Sequence, residues 1–212
     1  MKENIIGREL EIEKLENYIS SRKSEFIAIY GRRRVGKTFL VKELFENQFA
    51  FRVTGKDNVT TKEQLASFSF ALNDQLGIDT DATNWLEAFR LLQKALEKMS
   101  NGTKIIFFDE LPWFDTYASN FISALEHFWN DWAFYRSDIK LIACGSATTW
   151  MLNHVINSRG GLHNRITHNI LLSPFKLHEV EEYFKAQGFY YERPEIIECY
   201  MAMGGVAYYL SL

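Results

Sequence analysis

One run of eight residues has the residue types and spacing that bind the phosphates of a nucleotide. Residues 31–38 read GRRRVGKT and match the pattern GxxxxGK[ST]. The two glycines permit a tight turn in which successive backbone N–H groups point at phosphate oxygens. Lys37 would reach the β- and γ-phosphates, and the Thr38 hydroxyl would ligate Mg²⁺. The alternative is a basic surface turn before an ordinary helix. The candidate nucleotide-binding residues are Gly31, Arg32, Arg33, Arg34, Val35, Gly36, Lys37, Thr38 and Phe39.

A pair of carboxylates could complete that chemistry. Asp109 and Glu110 follow the apolar run 105–108, which is typical of a strand buried on both faces of a parallel sheet. Ligands of open α/β sheets bind at the carboxyl ends of the strands. Asp109 is predicted to hold the Mg²⁺ shell, and Glu110 to orient and deprotonate the attacking water. An acidic pair that merely starts a loop is the alternative, but its order after the phosphate loop favours a nucleoside-triphosphatase site.

Two further places could act on the transferred phosphate. Ser146 follows the apolar run 139–144 and could sense the γ-phosphate or the water, or its hydroxyl could cap a helix that starts near residue 148. The glycine-rich segment 158–166 is expected to be a mobile loop. Its Arg159 and Arg165 either neutralise charge on the phosphoryl group or are simply solvated.

The segment before the first helix is a candidate contact for the base. Ile6, Gly7 and Arg8 precede a helical pattern that begins near residue 10. Gly7 would allow the backbone to approach adenine closely. The alternative is a lead-in segment that covers an edge of the sheet.

These residues require a scaffold of alternating strands and helices. Apolar runs predict strands at 26–30, 49–53, 104–108, 139–144 and 169–172. Between them, apolar residues recur every three or four positions, which is typical of amphipathic helices. Glycines or Asn-Gly follow several of these helices, as expected at helix ends. The order of elements predicts an α/β fold with a mainly parallel sheet.

Composition narrows the class of protein. With 212 residues, 47% hydrophobic and 24% charged, the chain fits one soluble α/β domain with a small appendage. A net charge of −3 gives no general argument for nucleic acid, which the sequence leaves open as a partner. Two cysteines are too few for a disulfide framework. We expect a cytoplasmic protein that does not enter a membrane, because no signal peptide or long apolar run occurs.

Several segments together resemble the prokaryotic archaeal-type AAA ATPase family, a group of signal-transduction ATPases related to AAA+ proteins. The resemblance extends from about residue 4 to the end of the chain. Its phosphate loop and acidic strand are common to many ATPases, whereas CGSATTWM and the Ser-Pro-Phe segment are more specific. The segments are Gly7-Arg8-Glu9, GRRRVGKT at 31–38, IIFFDELPW at 105–113, CGSATTWM at 144–151, GGLHNRI at 160–166, LLSPFKLHEVEEY at 171–183 and GGVAYYL at 204–210.

The resemblance implies a P-loop three-layer sandwich with strand order 5-1-4-3-2, a core at 1–173 and a small helical lid at 174–212. It implies Asp109 and Glu110 as the Mg²⁺ and water carboxylates, and Ser146 as the sensor. It also implies Arg165 as a phosphate-stabilising arginine of the same or a neighbouring subunit. Family members usually continue into a winged-helix region and a further domain, so we expect a truncated chain. The family's Gly-Gly-x-Pro ends here in Ala207 instead of proline, which puts a contact with the nucleotide in doubt.

The first functional hypothesis is a Mg²⁺-dependent domain that binds and hydrolyses ATP and acts as a nucleotide-controlled switch. Its ligands would be ATP or ADP and Mg²⁺, and its partners the missing C-terminal domain and other copies of the chain. The alternatives are a nucleotide-binding interaction module with negligible turnover and an AAA+ motor linked to DNA. GTP is not expected, because no Asn-Lys-x-Asp segment occurs.

Overall fold

The computed structural model describes residues 5–100, 102–158 and 160–211. Within these residues, five parallel strands form one sheet in the order β2-β3-β4-β1-β5. This confirms both the α/β class and the expected order. The strands are β1 (Glu25–Tyr30), β2 (Phe49–Thr54), β3 (Lys104–Asp109), β4 (Ile139–Gly145) and β5 (His168–Leu171).

Helices connect the strands and cover both faces of the sheet. A short α6 continues directly into a π-helical turn at Met151–Ile156, an arrangement that is frequent at functional sites. The helices of the described chain are α1 (Glu9–Ser20), α2 (Lys37–Phe45), α3 (Thr61–Leu76), α4 (Trp85–Lys98), α5 (Phe121–Asp131), α6 (Thr148–Trp150), α7 (Leu177–Ala186), α8 (Arg193–Met203) and α9 (Ala207–Leu210).

Successive residues of the strands point to opposite faces of the sheet, where they form two hydrophobic cores. On one face of the sheet, side chains such as Phe108 and Leu141 pack with α3, α4 and α5. On the other face, side chains such as Phe107 and Ile142 pack with α1 and α2. A strand buried on both faces must be apolar throughout, and β3 is buried over its whole length. The result is the expected three-layer sandwich.

A cluster of aromatic rings lies inside the larger core. Phe68 contacts the rings of Trp85, Phe89 and Phe108 with centroids 5.6, 5.9 and 6.2 Å away. Phe114 packs edge-on against Phe108 at 5.7 Å. Pairs of this geometry contribute about 0.5–1.5 kcal/mol each beyond area burial. This cluster fixes the segment that follows β3, and therefore the surroundings of Glu110.

The residues after β5 have a small core of their own. Phe175, Val180, Phe184, Ile196 and Leu210 are buried together, apart from the two cores of the sheet. They belong to α7, α8, α9 and the segment before α7. We call residues 174–211 the lid; the boundary at 173 stays a prediction.

The glycine-rich segment that was expected to be mobile packs against α5. The Asn130 side chain donates to the Gly161 carbonyl at 2.7 Å, and the Leu162 N–H donates to Glu126 at 3.3 Å. The Leu162 side chain is fully buried. Contacts to a helix of the core therefore define the position of the described part of this segment.

None of the helices in the described chain has the length and apolar character that a bilayer-spanning segment needs.

Candidate active site

The loop between β1 and α2 has a backbone shaped for an anion. Arg34 and Gly36 adopt left-handed conformations with φ of 71° and 98°, as in the backbone nests that bind anions. Gly36 precedes α2, and no side chain caps that helix. The first N–H groups of α2 are therefore available to a ligand, and the helix dipole favours a negative one.

The start of this loop is held against the end of β5. A Cβ atom on Gly31 would lie 2.3 Å from the Leu172 carbonyl oxygen, and the φ of 143° is one that other residues rarely adopt. The Leu172 N–H donates to the Tyr30 carbonyl at 2.8 Å. Only glycine fits this close approach.

Lys37 is buried beneath the loop. Its side chain is 4% exposed, and Nζ donates to the carbonyls of Gly31 at 2.9 Å and Arg32 at 3.0 Å. Burial lowers the pKa of Lys37, while the nearby Glu110 and Asp109 oppose that shift. Two carbonyls of the loop therefore hold its ammonium group beneath the loop.

Thr38 and Asp109 lie in direct contact. The Thr38 hydroxyl lies 2.9 Å from Oδ1 and 3.0 Å from Oδ2 of Asp109, within donating distance of both. Asp109 is 5% exposed. Burial raises the pKa of Asp109, and the hydrogen bond from Thr38 partly offsets this. A buried carboxylate beside a hydroxyl is an environment that a cation would stabilise.

This donor set fits Mg²⁺. Among the described residues, no group of three or more His, Cys, Asp or Glu side chains could hold a metal ion. Mg²⁺ bound with a nucleotide needs no such group, because waters and phosphate oxygens supply most of its ligands. Thr38 and Asp109 would be the protein's contribution.

Glu110 is held by Ser146. The Ser146 hydroxyl and N–H donate to Glu110 Oε2 at 2.8 and 3.1 Å. Glu110 has a left-handed backbone with φ of 48°, which turns the chain sharply at the end of β3. The reading of Ser146 as a helix cap was wrong, since Ala147 precedes α6 and no side chain caps it. Pairing of β3 with β4 brings the two residues together.

One cavity of about 730 Å³ joins the phosphate loop to the lid. Glu110, Lys37 and Thr38 line it on the core side, and Ile5 and Ile6 line it before α1. The lid contributes Phe175, Tyr183, Ala186, Gln187, Ala207, Tyr208 and Ser211 to its wall.

Arg8 also lines the cavity and contacts the lid. It is 6% exposed, its Nη2 donates to the Ser173 carbonyl at 2.7 Å, and its guanidinium lies 4.5 Å from the centroid of the Phe175 ring. Gly7 adopts a φ of 64° and faces Glu179 of α7. Of the predicted base contacts, Ile6 and Arg8 thus border the cavity, and Gly7 contacts the lid.

The lid also contacts the phosphate loop directly. Arg34 Nη1 donates to the Tyr209 hydroxyl at 3.2 Å, and the Arg34 guanidinium lies 4.5 Å from the centroid of the Tyr208 ring. The Tyr208 N–H donates to the Arg34 carbonyl at 3.3 Å. We call these contacts among Arg34, Tyr208 and Tyr209 the clasp.

Arg165 does not join the site of its own chain. Its guanidinium lies 4.5 Å from the Phe134 ring centroid, and the Phe134 carbonyl accepts from Ser24, directly before β1. Thr167 contacts Phe26, also at the amino end of β1. The phosphate loop follows the other end of this six-residue strand, about 20 Å away. The prediction that Arg165 acts in the site of its own chain is therefore corrected. Its action on a neighbouring subunit stays a prediction.

The predicted site residue Arg159 lies outside the described residues.

Some other residues of the site were not recognisable from the sequence around them. Tyr183, Gln187 and the tyrosines of the clasp were not predicted as site residues, because α7 and α9 read as ordinary amphipathic or apolar segments. The one signal was that the segments 171–183 and 204–210, which carry the family resemblance, contain Tyr183, Tyr208 and Tyr209.

The sequence was also compared with protein families and with known proteins. A family model described as an ATPase domain found predominantly in Archaea matches residues 5–212. An uncharacterized protein of Methanocaldococcus jannaschii is 29% identical over 209 residues, which are 97% of this chain and 43% of that protein. The chain thus spans less than half of this curated relative.

Solved structures share the fold. A Walker-type ATPase of Pyrococcus abyssi matches with a TM-score of 0.69 and 19% identity, over 99% of this chain and 66% of that one. The ORC2 protein of Aeropyrum pernix, solved in ADPNP and ADP complexes, matches with a TM-score of 0.57 and 17% identity, over 91% of this chain and 54% of that one.

Proposed function

Because this chain belongs to the family of ATPase domains found predominantly in Archaea, we propose that it is a Mg²⁺-dependent ATPase whose nucleotide controls the position of the lid. The observation that carries the proposal is the shared cavity, in which the phosphate loop, Glu110 and the lid face one another. A nucleotide in that cavity would contact core and lid at once.

Binding would rest on the loop and its lysine. The N–H groups around Gly36 and the start of α2 would hold the phosphates. Lys37 would add a positive charge that is already buried and oriented. Thr38 and Asp109 would hold Mg²⁺, which would supply positive charge to offset that of the phosphates.

Hydrolysis would depend on Glu110. A carboxylate at the mouth of the phosphate loop can accept a proton from the attacking water. Its Oε2 is engaged by Ser146, so its other oxygen remains for that water. Ser146 would be a positioning residue that keeps the carboxylate in one orientation.

The switch would depend on the contacts of the lid. The clasp joins the lid to the same loop that holds the phosphates. A change in that loop on loss of the γ-phosphate would therefore change the free energy of lid closure. A ligand can shift such an equilibrium only by its differential affinity for the two states.

The test is steady-state ATP hydrolysis with Mg²⁺ over a range of protein concentrations. We expect turnover in the wild type, loss of turnover with retained ATP binding in Glu110→Gln, and loss of binding in Lys37→Ala. Glu182→Gln, an exposed position on α7, is the matched control and should behave as wild type.

Turnover per molecule that rises with protein concentration would support an arginine from a neighbouring subunit. ATP binding without turnover at every concentration would contradict the hydrolysing switch. It would favour the interaction module instead.

A further inference from the structure

At the end of the cavity that Ile5, Ile6, Arg8 and α7 line, Arg8 is the one charged side chain that the described core residues contribute. Arg8 is occupied by the Ser173 carbonyl and the Phe175 ring. The other core residues at this end, Ile5 and Ile6, are apolar. If the nucleotide binds as proposed above, on which this inference rests, the polar side chains of the described residues that are placed to select its base are those of the lid.

One stripe of α7 faces this end of the cavity. Glu179 and Tyr183 of α7 and Gln187, the residue directly after it, are spaced four residues apart and so lie on one side of the helix and its end. Glu179 accepts from the Lys176 N–H at 2.5 Å and borders Gly7, which anchors the first turn of α7. Tyr183 and Gln187 follow one and two turns later, and both line the cavity.

Both side chains are accessible from the cavity, since Gln187 is exposed and Tyr183 is partly exposed. Within the described part of the chain, neither the Tyr183 hydroxyl nor the Gln187 amide has a hydrogen-bond partner. The Tyr183 ring lies 6.1 Å from the Phe175 ring at an angle of 37°. Arg8, Phe175 and Tyr183 thus form a row of packed planar groups against which a flat base can lie.

We propose that Gln187 reads the hydrogen-bonding edge of the nucleobase while Tyr183 packs against its face. An amide carries both a donor and an acceptor. It can accept from the N6 amino group of adenine and donate to N1. A carboxylate at the same position could only accept, which suits the N1–H and N2 amino donors of guanine. The residue at position 187 therefore sets the preference between the two purines.

The experiment compares the affinities of ADP and GDP by competition against a fluorescent ribose-labelled ADP. In Gln187→Glu, we expect the ratio of GDP affinity to ADP affinity to rise at least tenfold over wild type. The added negative charge weakens both ligands, and the ratio removes that effect. In Tyr183→Leu, both affinities should fall while the ratio stays within twofold.

Gln48→Glu is the matched control, because Gln48 is exposed beyond the far end of α2 and should leave the ratio unchanged. A ratio in Gln187→Glu within twofold of wild type, with nucleotide still bound, overturns the base-reading role alone. Failure of the wild-type protein to bind any nucleotide overturns the proposed function itself.

Discussion

Removing the hydroxyl of Tyr209 should loosen the lid while every side chain of the phosphate loop is kept. In Tyr209→Phe, the ring and its burial remain, and only the hydrogen bond from Arg34 at 3.2 Å is lost. The stacking of Arg34 on Tyr208 is preserved. The substitution therefore isolates one contact of the clasp.

The expected loss of free energy follows from that single hydrogen bond. A typical intramolecular hydrogen bond contributes about 0.5–1.5 kcal/mol net, and the exposed position of this one favours the lower half of the range. A loss of about 0.5–1 kcal/mol corresponds to a factor of about 2–5 in an equilibrium constant. If the lid must open before nucleotide leaves, the dissociation rate should rise by that factor, and the association rate should change little.

The assay is stopped-flow displacement of the fluorescent ADP by excess unlabelled ADP. Arg34→Lys provides the second side of a double-mutant cycle, because lysine keeps the charge but loses the planar group that stacks on Tyr208. The effect of Tyr209→Phe should shrink in that background. Tyr190→Phe, at a tyrosine that is 88% exposed, is the matched control and should leave the rate unchanged.

Two results would refute the clasp. One is an unchanged dissociation rate in Tyr209→Phe. The other is strict additivity of the two substitutions, within about 0.3–0.5 kcal/mol, since independent residues do not share a contact.

Three other substitutions test separate parts of the structure. Ser146→Ala should lower kcat by about 10–100-fold with little change in ATP affinity, because it removes a hydrogen bond worth about 1.5–3 kcal/mol to the Glu110 carboxylate; steady-state kinetics and equilibrium binding separate the two effects. Ala207→Pro should stabilise the protein by about 0.4–1 kcal/mol in urea denaturation, because Ala207 is the first residue of α9 and Val206 before it is extended. Asp138→Asn should destabilise the fold by about 1–3 kcal/mol at pH 7, with a smaller difference at pH 3.

The pH dependence of the last prediction follows from the pKa of Asp138. Hydrogen bonds from Arg136, and then from Lys104, hold that pKa well below its usual value. A carboxylate whose pKa is depressed on folding stabilises the folded state above its unfolded pKa of about 3.9 and loses this contribution as pH falls. Urea denaturation at the two pH values measures it. An equal difference at pH 7 and pH 3 would contradict the pairing.

Results opposite to those expected for Ser146→Ala or Ala207→Pro would contradict the reasoning behind each prediction. Loss of ATP affinity in Ser146→Ala would mean that the hydroxyl serves the ligand and not Glu110. Destabilisation by Ala207→Pro would mean that the start of α9 cannot accept the proline ring.

The sequence by itself determined the features that depend on neighbouring residues. The phosphate loop at 31–38 is a local backbone motif, and its glycines and Lys37 lie within one turn of chain. The strand that ends at Asp109, directly before Glu110, is recognisable from its unbroken apolar run. The strand order and layers were expected only through resemblance to a family, because periodicity shows which segments are strands but not which strands pair.

Only the tertiary structure decided contacts between distant residues. Ser146 and Glu110 are 36 positions apart, and Arg34 and Tyr209 are 175 apart, so no local pattern records either contact. For the same reason, the amphipathic pattern of α7 did not distinguish Gln187 as a residue that lines the cavity. Arg165 shows the converse. Its residue type suited the chemistry. Parallel pairing of β5 with β1, however, places it at the amino ends of the strands, whereas the phosphate loop follows the carboxyl end of β1.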